Sequence, residues 1–328
     1  MPNKLLRESA TLLLLDRDDV EALLLAEDVL AAMREAFVLH SDGKGQVFPL
    51  VREKLSTGGT FGIKSGAVPE QSLLGFKAAG FWPANRAISG EPHQATILLM
   101  DPATGRPLCL IDGNAVTTQR TGAAGGLGLE RLARPESQSV VVFGTGVQAK
   151  VQLEYALRLL PAIRQVQYVS ASGLPKPAFE VHFEGRCTLS HSSDANAAVA
   201  ASDVVITTTT GSGALFDLSA VRPGTHFNCV GADTKGKREL PAGLLALSRL
   251  FVDDMAQAAQ IGELQWSPAT ACTEIGDVLT GRHQVNRTAA DITVFDMTGL
   301  ALQDLTVAAM LHERATTAGK GRQIAWPW

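Results

Sequence analysis

The run Val140-Val-Val-Phe-Gly-Thr-Gly-Val-Gln-Ala149 joins a short apolar segment to a glycine-rich turn and then to a helical pattern reaching Leu160. Strand, turn and helix in that order, with Gly144, Gly146 and Ala149 at GxGxxG/A spacing, make a dinucleotide-binding fingerprint. Gly144 permits the tight turn, Gly146 lets the backbone approach a pyrophosphate, and Ala149 keeps helix and strand close. The helix start adds N–H groups and a partial positive charge for the phosphates. A glycine-rich turn of another α/β fold is the plain alternative. The next strand, Val166–Ser170, runs into Tyr168-Val-Ser-Ala-Ser-Gly173, which has no Asp or Glu to bind the 2′-hydroxyl of NAD. Ser170 and Ser172, with Lys176 beyond them, suit a 2′-phosphate, so NADP(H) is favoured. No arginine stands at this tip, which leaves NAD(H) open as well.

Working outward, strands expected at Val204–Thr208, Phe227–Val230, Leu250–Val252 and Ile292–Phe295 alternate with helical stretches such as Asp194–Ala201. Near-continuous apolar strands between helices indicate an α/β fold, a Rossmann-type doubly wound parallel sheet covered on both faces. The strand near Phe227 leads through a small-residue turn to Asp233. Loops at strand C-termini line the ligand crevice in such sheets, so Asp233 is expected where a nicotinamide ring would lie. Capping of the following turn fits its spacing too. Asp253-Asp254 reads as capping and polar lining.

Upstream the texture differs. A strand at Leu12–Leu15 precedes a helix expected over Asp19–His40, with Val20, Leu23, Leu24, Val29, Met33, Ala36 and Phe37 at helical spacing and Asp18 or Asp19 as cap. Short β-like runs follow at Phe48–Leu55, Gly59–Gly66, Leu74–Gly80 and Ala95–Met100, and Asp101-Pro-Ala-Thr-Gly105 makes a hairpin turn. This is a second, α+β domain. An Ala- and Gly-rich helix, Thr121–Leu132, leads out of it, and a last helix, Leu300–Arg314, is expected to return to it.

Composition limits the function classes. The 328 residues suit about two domains, and 45% hydrophobic with 19% charged residues argues for sizeable cores. Lys plus Arg, 29, against Asp plus Glu, 33, gives a net charge of −4, without the basic surplus of a nucleic-acid binder. The four cysteines, Cys109, Cys187, Cys229 and Cys272, are scattered without CxxC spacing, so neither a disulfide framework nor a metal site is expected. Apolar runs fall well short of a membrane span, and Met1-Pro-Asn-Lys4 does not begin a signal peptide. A cytoplasmic protein acting on a small molecule, with no nucleic-acid or membrane partner, is the expectation.

Several further segments carry a resemblance: Pro92-His-Gln-Ala-Thr96, Leu110-Ile-Asp-Gly-Asn114, Gln119-Arg-Thr-Gly-Ala123, Val230–Leu240, Phe251-Val-Asp-Asp254 and Gly299-Leu-Ala-Leu-Gln-Asp304. With the glycine turn, they make the chain similar to the ornithine cyclodeaminase/μ-crystallin family over nearly its whole length. The resemblance implies a homodimer whose N-terminal domain supplies the dimer sheet and substrate pocket. The division expected is 1–119 with 303–328 for substrate binding and dimerisation, and 120–302 for the dinucleotide. It further implies that Arg52 binds the substrate carboxylate, that Lys77 is the active-site lysine, that Arg120 contacts cofactor and substrate, and that Asp233 is the catalytic acid. His93, Thr121, Val147, Gln148, Thr208, Val230, Lys237 and Met297 fall at expected cofactor positions. Without the resemblance, Arg52 and Lys77 are surface charges near strands, and Lys64 would serve as well as Lys77. Phe48, Phe81 and Trp82 suit a pocket wall or a core.

These residue types suit reduction of a C=N bond. An arginine fork fixes a carboxylate, Asp233 holds a proton, and Lys77 steadies the local charge. The function implied is an NAD(P)H-dependent reductase of small cyclic imino acids, Δ1-pyrroline-2-carboxylate to L-proline and Δ1-piperideine-2-carboxylate to L-pipecolate. The acid missing near Ser170 favours it over an ornithine or lysine cyclodeaminase, an ammonia-releasing lyase with recycled NAD. An alanine-type dehydrogenase and a crystallin-type NADPH-binding protein are the remaining alternatives.

Overall fold

The computed structural model describes residues 10–326; the Met1–Lys4 reading lies outside them. Two compact units emerge, one running to Arg120 and resuming at Leu300, the other Thr121–Gly299.

The first unit opens with β1 (Thr11–Leu15), α1 (Arg17–Leu23) and α2 (Ala26–Ser41). The single helix expected over Asp19–His40 is therefore broken, with Leu24 and Leu25 extended. The cause is phase. Val20 and Val29 are nine residues apart, about half a turn out of register at 3.6 residues per turn, so one straight helix cannot bury both on one side. Asp16, rather than Asp18 or Asp19, caps α1 by accepting from Asp19 N. β2 (Gln46–Val47), β3 (Val51–Lys54), β4 (Thr60–Val68), β5 (Leu73–Phe81), β6 (His93–Met100) and β7 (Pro107–Asp112) follow. α3 (Gly113–Leu132) starts eight residues before the expected Thr121, because Asp112 Oδ1 accepts from Asn114 N and Ala115 N and so caps it. The division between the units falls inside this helix.

The second unit contains β8 (Ser139–Phe143), α4 (Val147–Leu159), β9 (Gln165–Val169), α5 (Pro177–His182), β10 (Thr188–His191), α6 (Ala195–Ala200), β11 (Val204–Thr207), β12 (His226–Cys229), β13 (Arg249–Val252), α7 (Met255–Ile261), β14 (Cys272–Glu274), α8 (Ile275–Leu279) and β15 (Thr293–Asp296). Its eight strands run in the order β10-β9-β8-β11-β12-β15-β13-β14, every pair parallel. Strand order reverses direction between β8 and β11, and in open α/β sheets the turns after the strands at such a point form the crevice where ligands bind. Alternate residues feed two cores: Val141, Phe143, Val205 and Phe227 on one face, Val140, Val142, Val204 and Ile206 on the other. The glycines of α3 have a packing role. A Cβ on Gly125 would strike the Gln152 side chain and one on Gly128 the Phe295 ring.

The chain returns to the first unit with α9 (Ala301–Ala318) and β16 (Arg322–Ala325). Its sheet is ordered β16-β1-β7-β6-β5-β4-β2, with β3 also on β4. α9 packs on α2 and across β4, β5 and β6. No helix among the described residues is long and apolar enough to cross a membrane.

Candidate active site

In the first unit, strand register settles which side chains share a face. Arg52 pairs with Gly62, Lys64 with Lys77, and Phe81 with His93, so Arg52, Lys64, Lys77 and His93 project from one side of the sheet. That is the side α9 covers, because Lys77 Nζ reaches Asp304 Oδ1 at 2.7 Å. Lys77 also donates to Thr117 Oγ1 at 3.1 Å. Arg120 Nε donates to the same Asp304 oxygen at 3.1 Å, and its Nη1 to Gln303 Oε1 at 2.8 Å. Lys77, Arg120 and Asp304 are 4%, 7% and 0% exposed. Two buried cations thus share one carboxylate. Asp304 Oδ2 and Gln303 Nε2 are buried with no hydrogen-bond partner.

Burial lowers the Lys77 ammonium to about 7, the attraction of Asp304 opposing and the like charges of Arg120 and Lys64 assisting. Burial pushes Asp304 up, but Arg120 and Lys77 outweigh it and hold the carboxyl below its ordinary value. Asp304 lies in the first turn of α9, where the helix dipole favours a carboxylate. Gln303 fixes that end, accepting from Leu300 N at 3.1 Å. His93 is lowered by burial, then by Lys77. Its Nδ1 lies 3.1 Å from the Asn114 amide oxygen, and Asn114 donates to Glu91, which pairs with Arg17 at 2.8 Å.

In the second unit the glycine turn has the form the spacing predicts. Gly144 takes φ +109°, Gly146 precedes the first residue of α4, and Ala149 is buried. A Cβ on Gly146 would meet nothing within 4 Å, leaving room beside the backbone. Val147 is 63% exposed, Gln148 Oε1 has no hydrogen-bond partner, and the first turn of α4 carries no acidic residue. Thr208 closes the other side of the turn, donating through Oγ1 to Phe143 O at 2.8 Å. Beyond β9, Ser170 Oγ donates to Leu174 O at 2.6 Å, so its proton is committed within the turn. Ser172 Oγ and His191 Nε2 lie 3.4 and 3.5 Å from it.

Val230 N donates to Thr207 O, and Met297, almost wholly buried, donates through its N to Cys229 O. Thr121 O accepts from Gln152 Nε2. Asp233 is partly exposed and forms a 2.8 Å ion pair with Lys237, which also donates to Gly231 O. Lys77 and Arg120 are therefore joined through Asp304, and Asp233 with Lys237 directly; Arg52 shares a sheet face with Lys77. No motif or spacing in the sequence assigns a role to Asp304, Gln303, Thr117 or Asn114. Asp304 left a trace, a carboxylate inside the apolar periodicity Leu300–Leu311.

A profile of the ornithine cyclodeaminase/mu-crystallin family matches residues 11–319. The iminosuccinate reductase of Paracoccus denitrificans is 30% identical, over 95% of this chain and 99% of its own. Among solved structures, an archaeal alanine dehydrogenase dimer with bound NAD is 31% identical, with a TM-score of 0.89 over 96% of this chain and 99% of that one. The Delta(1)-pyrroline-2-carboxylate reductase of Thermococcus litoralis, in complex with NADH and L-proline, is 26% identical, with a TM-score of 0.86 over 95% of this chain and 100% of that one. The chain belongs to the ornithine cyclodeaminase/mu-crystallin family.

Proposed function

We propose that the protein reduces small cyclic imino acids with NAD(P)H, taking Δ1-pyrroline-2-carboxylate to L-proline and Δ1-piperideine-2-carboxylate to L-pipecolate. It is an NAD(P)-dependent oxidoreductase acting on a CH–NH or C=N bond, and its relatives are named as reductases and dehydrogenases. The observation that carries this reading is the buried charge surplus at Lys77, Arg120 and Asp304. An unbalanced buried cation is costly, and a substrate carboxylate cancels it. Arg52, on the same sheet face, is the clamp for that carboxylate. Its removal leaves a buried anion unpaired, at about 2–5 kcal/mol.

The open flank of Gly146, the N-terminus of α4 and the unpartnered Gln148 Oε1 fit a dinucleotide. Gly144, Gly146, Val147, Gln148 and Thr208 would hold its pyrophosphate end, and Val230, Lys237 and Met297 its nicotinamide end. When bound, the reduced nicotinamide supplies the hydride that the imine carbon takes up. Asp233, oriented by Lys237, holds the proton destined for the nitrogen, an assistance worth about 10²–10⁴-fold. Lys77, changing charge near pH 7, sets the field around the carboxylate. NADP(H) is favoured because the end of β9 carries no acid, with Ser172 as its phosphate donor now that the Ser170 proton is committed. A homodimer fits the dimeric archaeal relative, and four free thiols fit a reducing compartment, the cytoplasm.

A second reading, reduction of an open-chain imino acid, is favoured by identity, 30% to the iminosuccinate reductase and 31% to the alanine dehydrogenase against 26% to the Thermococcus litoralis pyrroline-2-carboxylate reductase. One assay separates the two: the cyclic and open-chain imino acids are offered in turn with NADPH and NADH, and loss of the reduced-cofactor absorbance is followed. Turnover of the cyclic substrates, fastest with NADPH, is expected. Silence with the cyclic pair and both cofactors would reject the proposal.

A further inference from the structure

The segment after β12 holds a carboxylate with no role so far. Glu239 is fully buried. Its Oε1 accepts from Thr209 N at 2.6 Å, and its Oε2 accepts from Thr207 Oγ1 at 2.6 Å and Gly231 N at 2.9 Å. The donors come from two turns. Thr207, the last residue of β11, and Thr209 flank Thr208, and Gly231 begins the turn that reaches Asp233. A Cβ on Gly231 would collide with the Glu239 carboxylate, so the carboxylate rests directly on that backbone. A Cβ on Gly144 would come within 2.7 Å of Thr208 Oγ1, so the first turn in contact with Glu239 is also the one packed on the dinucleotide fingerprint. Glu239 is itself fixed. Its N donates to Glu263 Oε1 at 2.6 Å, and its O accepts from Leu215 N at 2.9 Å.

We propose that Glu239 is a positioning residue, a single buried carboxylate that sets the spacing between the Thr208 turn and the Asp233 turn. A carboxylate is needed because all three partners arrive as donors, two of them backbone N–H groups that cannot reverse. Glutamine would keep the shape yet turn an NH2 toward one of them. The proposal rests on the reductase reading for the role of Asp233, but the turn at Thr208 also bears on dinucleotide binding without any imino acid.

The test uses Glu239→Gln and the milder Thr207→Val in the full chain. It measures the dinucleotide dissociation constant by calorimetry, the thermal midpoint, and kcat and KM for the best imino acid. Expected for Glu239→Gln is dinucleotide binding weakened about 3–10-fold, a lost hydrogen bond's worth. A fall in kcat of about 10–100-fold, as for a misplaced catalytic group, should accompany an unchanged imino-acid KM. Thr207→Val should move the dinucleotide constant the same way by less, and it keeps the test alive if Glu239→Gln fails to fold. A lowered midpoint with dinucleotide binding and kcat at wild-type values would make Glu239 a structural staple and overturn the proposal. If no imino acid is turned over by the wild type, the reductase reading fails, while the calorimetric arm still decides whether Glu239 governs the Thr208 turn.

Discussion

The two units bury charge of opposite sign and deal with it differently. In the first, Lys77 and Arg120 share the single carboxylate of Asp304. In the second, Asp253, Glu239, Glu263 and Asp296 are all buried, and backbone N–H groups serve each of them: Thr209 and Gly231 for Glu239, Glu239 and Leu240 for Glu263, Leu264 for Asp296, Thr298 and Gly299 for Asp253. Burial and neighbouring carboxylates push Glu263 to about 8 and Asp296 to about 7. An acidic surplus can be quenched by backbone dipoles and by keeping a proton. The cationic cluster has only one such outlet: the Arg120 guanidinium does not deprotonate in proteins, and Lys77, held down at about 7, is the group that can shed its charge. The acidic cluster is thus quenched within the scaffold, whereas the cationic one is balanced by loss of the Lys77 proton above about pH 7 or, under the proposed function, by a substrate carboxylate.

The contrast breaks most sharply at the two acids of highest consequence. Asp304→Asn leaves two buried cations without a counter-charge, and unfolding in urea should show a loss of about 3–5 kcal/mol. A change under about 0.5 kcal/mol, the level of an ordinary surface substitution, would mean that Asp304 does not offset them. Glu263→Gln should act with the opposite sign. Between about 4.5 and about 8 the folded protein keeps a proton on Glu263 that the unfolded chain has released, so its contribution to stability falls as pH rises through that window. Glutamine still accepts from Glu239 N and Leu240 N, and removes the penalty. Near pH 8 the variant should gain about 1–3 kcal/mol, each kcal/mol raising the midpoint by about 2–4 °C. At pH 4.5 the gain should vanish, and a gain independent of pH would place the effect elsewhere.

These two clusters were unequally legible in the sequence. The doubly wound sheet was readable because Val140–Phe143, Val204–Thr207 and their neighbours are continuous apolar strands, and the glycine turn is local in sequence. β10 was missed because Thr188–His191 is a short edge strand with little apolar signal. The break at Leu24-Leu25 depends on which apolar residues are buried, Val20 in one helix and Val29 in the next, and the list of apolar positions at helical spacing does not report that. Lys77 and Arg120 were reached through resemblance. Asp304 stands 227 residues from Lys77 in the chain, and no spacing rule spans that separation. By sequence alone Lys64 is the equal of Lys77, and register explains why: the two stand directly opposite, yet the 2.7 Å hydrogen bond to Asp304 is made by Lys77.

That pairing supplies the smallest and finest test of the comparison. Like charges facing each other across a strand pair repel by about 0.2–1 kcal/mol, and Lys64 is one of the charges holding Lys77 down at about 7. Lys64→Met removes the repulsion, so Lys77 should keep its proton to higher pH. One pH unit corresponds to about 1.36 kcal/mol, so the upward displacement should stay under about one unit. It is read from the alkaline or neutral inflection of kcat against pH, or from stability. Between about 7 and 10.5 the unfolded chain holds a proton that folded Lys77 has lost, so stability rises with pH there, and the rise should begin later in the variant. If the inflection does not move, the two lysines do not sense one another, and the cationic surplus is confined to Lys77 and Arg120. If it moves upward, the surplus extends across the strand pair to β4, toward Arg52 and the proposed carboxylate clamp.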